Sequence, residues 1–396
     1  MSLVNKLGGI GRRLIQVGVD FLPAWLRRFL RRIQLGKAGQ VPALPTTDPQ
    51  KQLLVIGPVN YAGQGYVWGN AVAAASDLAA HSYAVEVPGG FSFAVDSEIP
   101  VAVYETSRAW QKQQLRFLSG ADFVLLEAEV RLFGNLFQNF KQEVRALRAA
   151  GVNVAFLAHG TDIRVPSQHV KQTRWSIHAE PGADNFRAEW LSRRNIAAIR
   201  ELTGPVFVST PDLLVYTPEA IWCPVAIDLQ RWRSDSPKPK RERPLVVHAP
   251  SRAAEKGTDI IEPLLFELER AGVIDYQRIQ NVPSAKMPEV YQNADIVLDQ
   301  FRAGSYGVTA VEAMAAGCVV VGHITPQVER AVEEATGVSL PIVSCEANQI
   351  GSVLRELISD QAGFSERIQA GQRFVKEVHS GEFSARALLQ NWLRPQ

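Results

Sequence analysis

Short apolar runs, rich in Val, Ile and Leu and too short for helices, recur from residue 51 to residue 322. In the first half KQLLVIG (51–57), YAVEVPG (83–89), ADFVLLE (121–127), VNVAFLA (152–158) and PVFVST (205–210) predict buried strands, and WCPVAID (222–228) a short one ending in an acid. In the second half PLVVHAPS (244–251), ADIVL (294–298) and CVVVG (318–322) read the same way. Helical stretches separate them, among them 260–271 and 309–316. Strands alternating with helices predict an α/β chain whose parallel sheets carry helices on both faces. Between the halves, RSDSPKPKRERP (233–244) is charged, proline-rich and without core residues, which places a domain boundary there. The expected divisions are an arm over 1–40, domains over 50–232 and 244–378, a linker over 233–243 and a last helix over 379–396. That helix has Phe383, Leu388, Leu389 and Trp392 on one face.

The ends of the pattern are equally informative. Leu22, Trp25, Leu26, Phe29, Leu30 and Ile33 recur at helical spacing, with Arg27, Arg28, Arg31 and Arg32 on the opposite side. Such a helix can lie in an anionic membrane interface, or dock on its own protein. The charge distribution sharpens this: eight of the first 37 residues are basic and one is acidic, although the whole chain is only +2. The remainder is therefore slightly acidic, which excludes an overall basic nucleic-acid binder.

The stretch DQFRAGSYGVTAVEAMAAGCVVVG (299–322) reads as strand, glycine loop, helix and strand. Gly304, Ser305 and Gly307 lie in the loop, and Gly317 closes the helix. Such a loop aims backbone N–H groups and the positive end of a helix at one point, which suits a phosphate. Glu312, about one turn in, could accept hydrogen bonds from hydroxyls beside it. Arg252 and Lys256 follow the first strand of the second domain, on the same sheet edge as this loop. A bidentate fork and a mobile point charge suit a diphosphate.

In the first domain, ligands are expected beyond the strands' carboxyl ends. After VNVAFLA comes His159-Gly160-Thr161-Asp162-Ile163-Arg164, a dense polar cluster. His159 could polarise a sugar hydroxyl and Arg164 hold an anionic group; alternatively, Asp162 and Arg164 pair to fix the loop. GQGYVWG, with Gly63, Gly65 and Gly69, matches a GxGxxxG spacing at a strand-to-helix turn. Only Glu86 could serve a ribose there, so Gly63 and Gln64 are read as cleft wall rather than as a nicotinamide-cofactor site.

At 396 residues two domains are the natural expectation, and 46% hydrophobic residues with mean hydropathy −0.05 describe ample core. Cys223, Cys318 and Cys345 lack CxxC spacing, so neither a disulfide framework nor a zinc site is suggested, and a reducing, cytoplasmic setting fits. The sequence holds no apolar run of about 18 residues, the length a membrane span needs.

PSRAAEKGTD, VPSAKMPEVYQNADIVLDQF, SYGVTAVEAMAAGCVVVG and FVKEVHSG together resemble the family-4-like retaining glycosyltransferases of the GT-B fold. The resemblance covers most of residues 50–393 and is strongest in the second half. It implies two Rossmann-like doubly wound domains facing across a cleft, with the last helix crossing back to the first. Arg252 and Lys256 would bind the diphosphate of a UDP- or GDP-linked sugar, with the amides of Gly307, Val308 and Thr309 sharing that work. Glu312 would bond the ribose, and His159 would face the sugar or acceptor. No metal or other cofactor would be needed, because fixed cations and a helix dipole replace it. A hexosyl group would pass to a hydroxyl of a glycan or lipid-linked acceptor with retention, building cell-surface polysaccharide or glycolipid at the inner membrane face. The sequence departs from the family at one point: the first of two acids spaced eight apart is replaced by Gly304. Asp299 is a candidate substitute. A catalytically silent GT-B partner subunit and a nucleotide-sugar epimerase are the alternatives.

Overall fold

The computed structural model describes residues 22–36, 39–86, 93–180, 185–233 and 241–394. The remaining parts of the arm, of the YAVEVPG segment and of the linker lie outside the described residues.

The first half builds a seven-stranded, all-parallel sheet. Its strands are β1 (Leu53–Gly57), β2 (Ala79–Val85), β3 (Ser97–Ile99), β4 (Phe123–Glu127), β5 (Asn153–Ala158), β6 (Val206–Val208) and β7 (Ile221–Trp222). The order β3-β2-β1-β4-β5-β6-β7 reverses between β1 and β4. The second half builds a five-stranded sheet from β8 (Leu245–His248), β9 (Asp275–Arg278), β10 (Ile296–Leu298), β11 (Val319–Gly322) and β12 (Val343–Ser344). Its order, β12-β11-β10-β8-β9, reverses between β8 and β10. Each reversal opens a crevice at the strands' carboxyl ends, where ligands of such sheets bind. The expected doubly wound α/β class is what the chain adopts.

All five residues of β1 and of β4 are buried, as are the four of β11. Helices on both faces make a continuous apolar strand stable, and that continuity is what the sequence displays. β9, with sequence DYQR, is a partly exposed edge strand without an apolar run, and sequence patterning passes over it. Strand pairing at 221–222 is shorter than WCPVAID suggests. Pro224 has no N–H to give a ladder, and its carbonyl accepts from Trp68 Nε1 (2.9 Å) and Ser384 Oγ (2.7 Å). The Ile227 N–H donates to the His379 carbonyl (2.9 Å).

These bonds tie the chain's end to the first domain. Ala385, Leu388, Trp392 and Leu393 pack with Leu54, Ile56, Trp68 and Leu125 in one cluster. Trp392 Nε1 donates to Asn153 Oδ1 (2.9 Å). A second tie joins the domains beside the cleft. His169 Nε2 lies 3.1 Å from the Ala303 carbonyl, and the Arg302 guanidinium joins Asp259 (2.8 Å) to Glu180.

The N-terminal helix spans Ala24–Leu35, and it docks arginine side down. Arg27 is 2% exposed and donates to the carbonyls of Phe137 (3.0 Å) and Gln138 (2.9 Å). Arg28 donates to the Asn135 carbonyl (3.2 Å), and Arg31 lies 3.9 Å from Glu105. Trp25 (66% exposed), Phe29 (58%) and Ile33 (69%) face outward. The sequence separates the two faces correctly but does not say which one the protein covers. No helix among the described residues is long and apolar enough to cross a membrane.

Candidate active site

A cavity of about 470 Å³ opens between the two carboxyl edges. The first domain contributes Gly63, Tyr66, Val67, Asp228 and Arg231; the second domain contributes Lys256, Asn281, Val308, Thr309 and Glu312. Lys256 follows β8, and the helix Val308–Ala315 follows β10, so the sheet's reversal places both on one crevice.

Glu312 sits on the first turns of that helix. Burial pushes its carboxyl up to about 8, Arg231 and Lys256 draw it back, and Asp299 adds to the rise. At neutral pH it is therefore largely protonated, able to donate one hydrogen bond and accept others. Asp299, 2% exposed, lies behind the cavity wall. One of its oxygens is 2.5 Å from Lys256 Nζ, and the other accepts from the Gly307 N–H (3.1 Å).

Gly304 has φ +68°, in the left-handed region that favours glycine, and its carbonyl accepts from the Thr325 N–H (2.9 Å). A Cβ at this position would stand 2.6 Å from Thr325 Cγ2. The missing acid is thus excluded by backbone and by a neighbour, not merely absent. Ser305 is 2% exposed, and its carbonyl accepts from Gln300 Nε2 (2.8 Å), so neither residue faces the cavity.

Across the cleft, His159 follows β5 and Glu127 ends β4. Nε2 of His159 lies 2.9 Å from Glu127 Oε1. The imidazole stacks on Trp68 (5.8 Å between centroids) and meets Tyr61 edge-on (4.7 Å). Burial raises the Glu127 carboxyl, with His159 opposing. Glu129 lies on a turn where Ala128 (φ 54°) and Glu129 (φ 52°) are both left-handed, and its buried carboxyl finds no hydrogen-bond partner among the described residues. Burial and Asp162 push its carboxyl well up.

The HGTDIR residues divide their work. Asp162 accepts from the main-chain N–H groups of His159 and Gly160, and so fixes the loop. Arg164 pairs with the buried Asp212 (2.5 Å) rather than with Asp162 or the cleft. Gly63 lines the cavity, whereas Gln64 turns away to bond the main chain of Ala226 (3.0 and 2.7 Å). Arg252 stands outside the cavity lining, 70% exposed and paired with Glu255 (3.0 Å); burial, with Asp162 and Glu127, raises the Tyr61 phenol, and Arg252 is near enough to oppose that rise.

Arg231, Glu127 and Glu129 were not singled out by the sequence. Glu127 carries a usable signal, being an acid at a buried strand's carboxyl end, the criterion that picked His159. Arg231 carries none, because only the fold brings the short helix Leu229–Trp232 to the cavity.

Two facing doubly wound sheets with a cavity between their carboxyl edges define a GT-B protein. Residues 272–374, within the second domain, match the family described as glycosyl transferases group 1. No curated protein matches the chain in sequence. Among solved structures, HepE of Anabaena in complex with UDP-glucose is similar at TM-score 0.52 and 11% identity, over 85% of this chain and 99% of that one. Sucrose-phosphate synthase from Thermosynechococcus elongatus is similar at TM-score 0.51 and 13% identity, covering 85% and 96%. A glycosyltransferase from Rickettsia africae gives 0.52 and 11%, covering 85% and 97%. At these identities the likeness is one of fold.

Proposed function

We propose that the chain transfers a hexosyl group from a nucleotide-sugar to an acceptor hydroxyl with retention, and that the cavity is its donor site. The observation that carries this is the convergence of Lys256, the amide end of the helix Val308–Ala315 and Glu312 on one cavity. In this reading Lys256, with Arg252 reaching in from the rim, meets the charge that grows on the departing diphosphate. The amides around Gly307 to Thr309 share it, as preorganised donors that need no reorientation. Glu312 bonds the ribose hydroxyls. The Glu127–His159 pair faces the sugar or acceptor, with Glu127 fixing the imidazole. In this reading fixed cations and the helix end do the electrostatic work assigned in other enzymes to a metal.

HepE was solved with UDP-glucose, which makes UDP-linked sugars the first donors to try, ahead of GDP-linked ones. The test is incubation with a nucleotide-sugar panel and glycan or lipid-linked acceptors, reading the product's anomeric configuration by NMR. Product of inverted configuration refutes retention. Nucleotide binding without transfer across the panel favours a silent partner subunit, a reading that the closed position at Gly304 supports.

The outward face of Trp25, Phe29 and Ile33 supports a site at the inner membrane surface and a lipid-linked or cell-surface acceptor. With Arg27 and Arg28 engaged by main-chain carbonyls, apolar insertion rather than charge would dominate the attachment.

A further inference from the structure

Lys256, which lines the cavity, and the N–H of Gly307, next to the lining residue Val308, already hold an anion of the chain's own. The Asp299 main chain is fixed to the sheet, its N–H donating to the Val321 carbonyl (3.0 Å). Its carboxylate spans the crevice between β8 and β10, taking Lys256 Nζ at 2.5 Å and the Gly307 N–H at 3.1 Å. The Phe301 N–H donates to the Lys256 carbonyl (3.1 Å), so the segments carrying the two charges are held in register. Neither charge has an easy alternative in water: the Asp299 side chain is 2% exposed and that of Lys256 15%. The helix Val308–Ala315 has no side-chain N-cap of its own and no acid in its first turn. Asp299 therefore supplies negative charge both to the helix's positive end and to Lys256.

We propose that Asp299 is an internal competitor of the donor's diphosphate, its carboxylate engaging Lys256 and the Gly307 amide until the diphosphate displaces it. The proposal rests on the donor-site reading above. A phosphate and a carboxylate cannot share one ammonium and one N–H at contact distance without like-charge repulsion. Donor binding thus exchanges an internal anion for an external one, and Asp299 lowers the donor's affinity. A purely structural ion pair would act with the opposite sign, because losing it would misplace Lys256 and weaken binding.

The experiment is calorimetric titration of UDP, GDP and ADP into the full chain and into Asp299→Asn. Removing one charge-assisted competitor is expected to tighten binding of the preferred nucleotide about tenfold. In a Lys256→Ala background the same substitution is expected to change affinity less than about twofold, since the contested cation is gone. Unchanged or weaker binding in Asp299→Asn, with the wild type binding normally, overturns the proposal alone. Failure of the wild type to bind any of the three overturns the donor-site reading and this proposal with it. Should Asp299→Asn not fold, Asp299→Ser, which keeps an oxygen near the Gly307 N–H, is read by the same sign.

Discussion

Introducing the acid that the sequence resemblance leads one to expect, by Gly304→Glu, is expected to damage the protein rather than improve it. Two costs add. A non-glycine residue at φ +68° pays about 1–2 kcal/mol for the left-handed backbone. Its Cβ would also stand 2.6 Å from Thr325 Cγ2, and Thr325 is 4% exposed, β-branched and bonded through its N–H to the Gly304 carbonyl. Relieving such an overlap costs about 1–3 kcal/mol. The sum, about 2–5 kcal/mol, is a large share of the stability of most domains. Urea denaturation of Gly304→Ala and Gly304→Glu measures it. Thr325→Ser in the Gly304→Ala background removes the blocking methyl, keeps the Thr325 N–H bond, and is expected to recover the steric part but not the backbone part. A Gly304→Ala protein within 0.5 kcal/mol of wild type would refute the reasoning, since surface substitutions without strain fall in about that range. So would a Gly304→Glu protein of normal stability.

Two further outcomes are expected. Glu312, with its carboxyl raised to about 8 when folded against an ordinary value of 4.5, binds its proton more tightly folded than unfolded. Its contribution is therefore present below the unfolded value and lost as pH rises through the folded one. Glu312→Gln removes this loss, so the variant's melting temperature should gain on the wild type's between pH 5 and 9, and a constant difference across that range would contradict the burial of the carboxyl. Replacing Trp25, Phe29 and Ile33 together by Ser is expected to abolish pelleting with vesicles of mixed neutral and anionic lipid, while the melting temperature holds. Pelleting of the wild type that vanishes at high salt would instead point to charge as the attachment.

Much of the fold was legible because parallel strands buried on both faces leave continuous apolar runs, as LLVIG and VVVG do. The edge strand DYQR is half-covered and leaves no such trace. Lys256, Gly307 and Glu312 could be placed on one edge because each follows a recognisable strand. What the sequence withheld depends on contacts between distant segments. Whether Gly304 is punctuation or an excluded position depends on Thr325, twenty-one residues on. Arg164 reads as a free cation until Asp212 comes to meet it. The N-terminal helix has two well-separated faces, and its orientation is decided by the carbonyls of Phe137 and Gln138 waiting for a guanidinium.

The central claim is that the cavity between the two sheets is a nucleotide-sugar site built on Lys256 and Glu312. Titrating UDP-, GDP- and ADP-sugars into wild type, Lys256→Ala and Glu312→Gln tests it most directly. One nucleotide class should bind the wild type one to one, and loss of a charge-assisted contact to phosphate should weaken it about tenfold or more in Lys256→Ala. Absence of binding to the wild type, or affinity untouched in both variants, would contradict it.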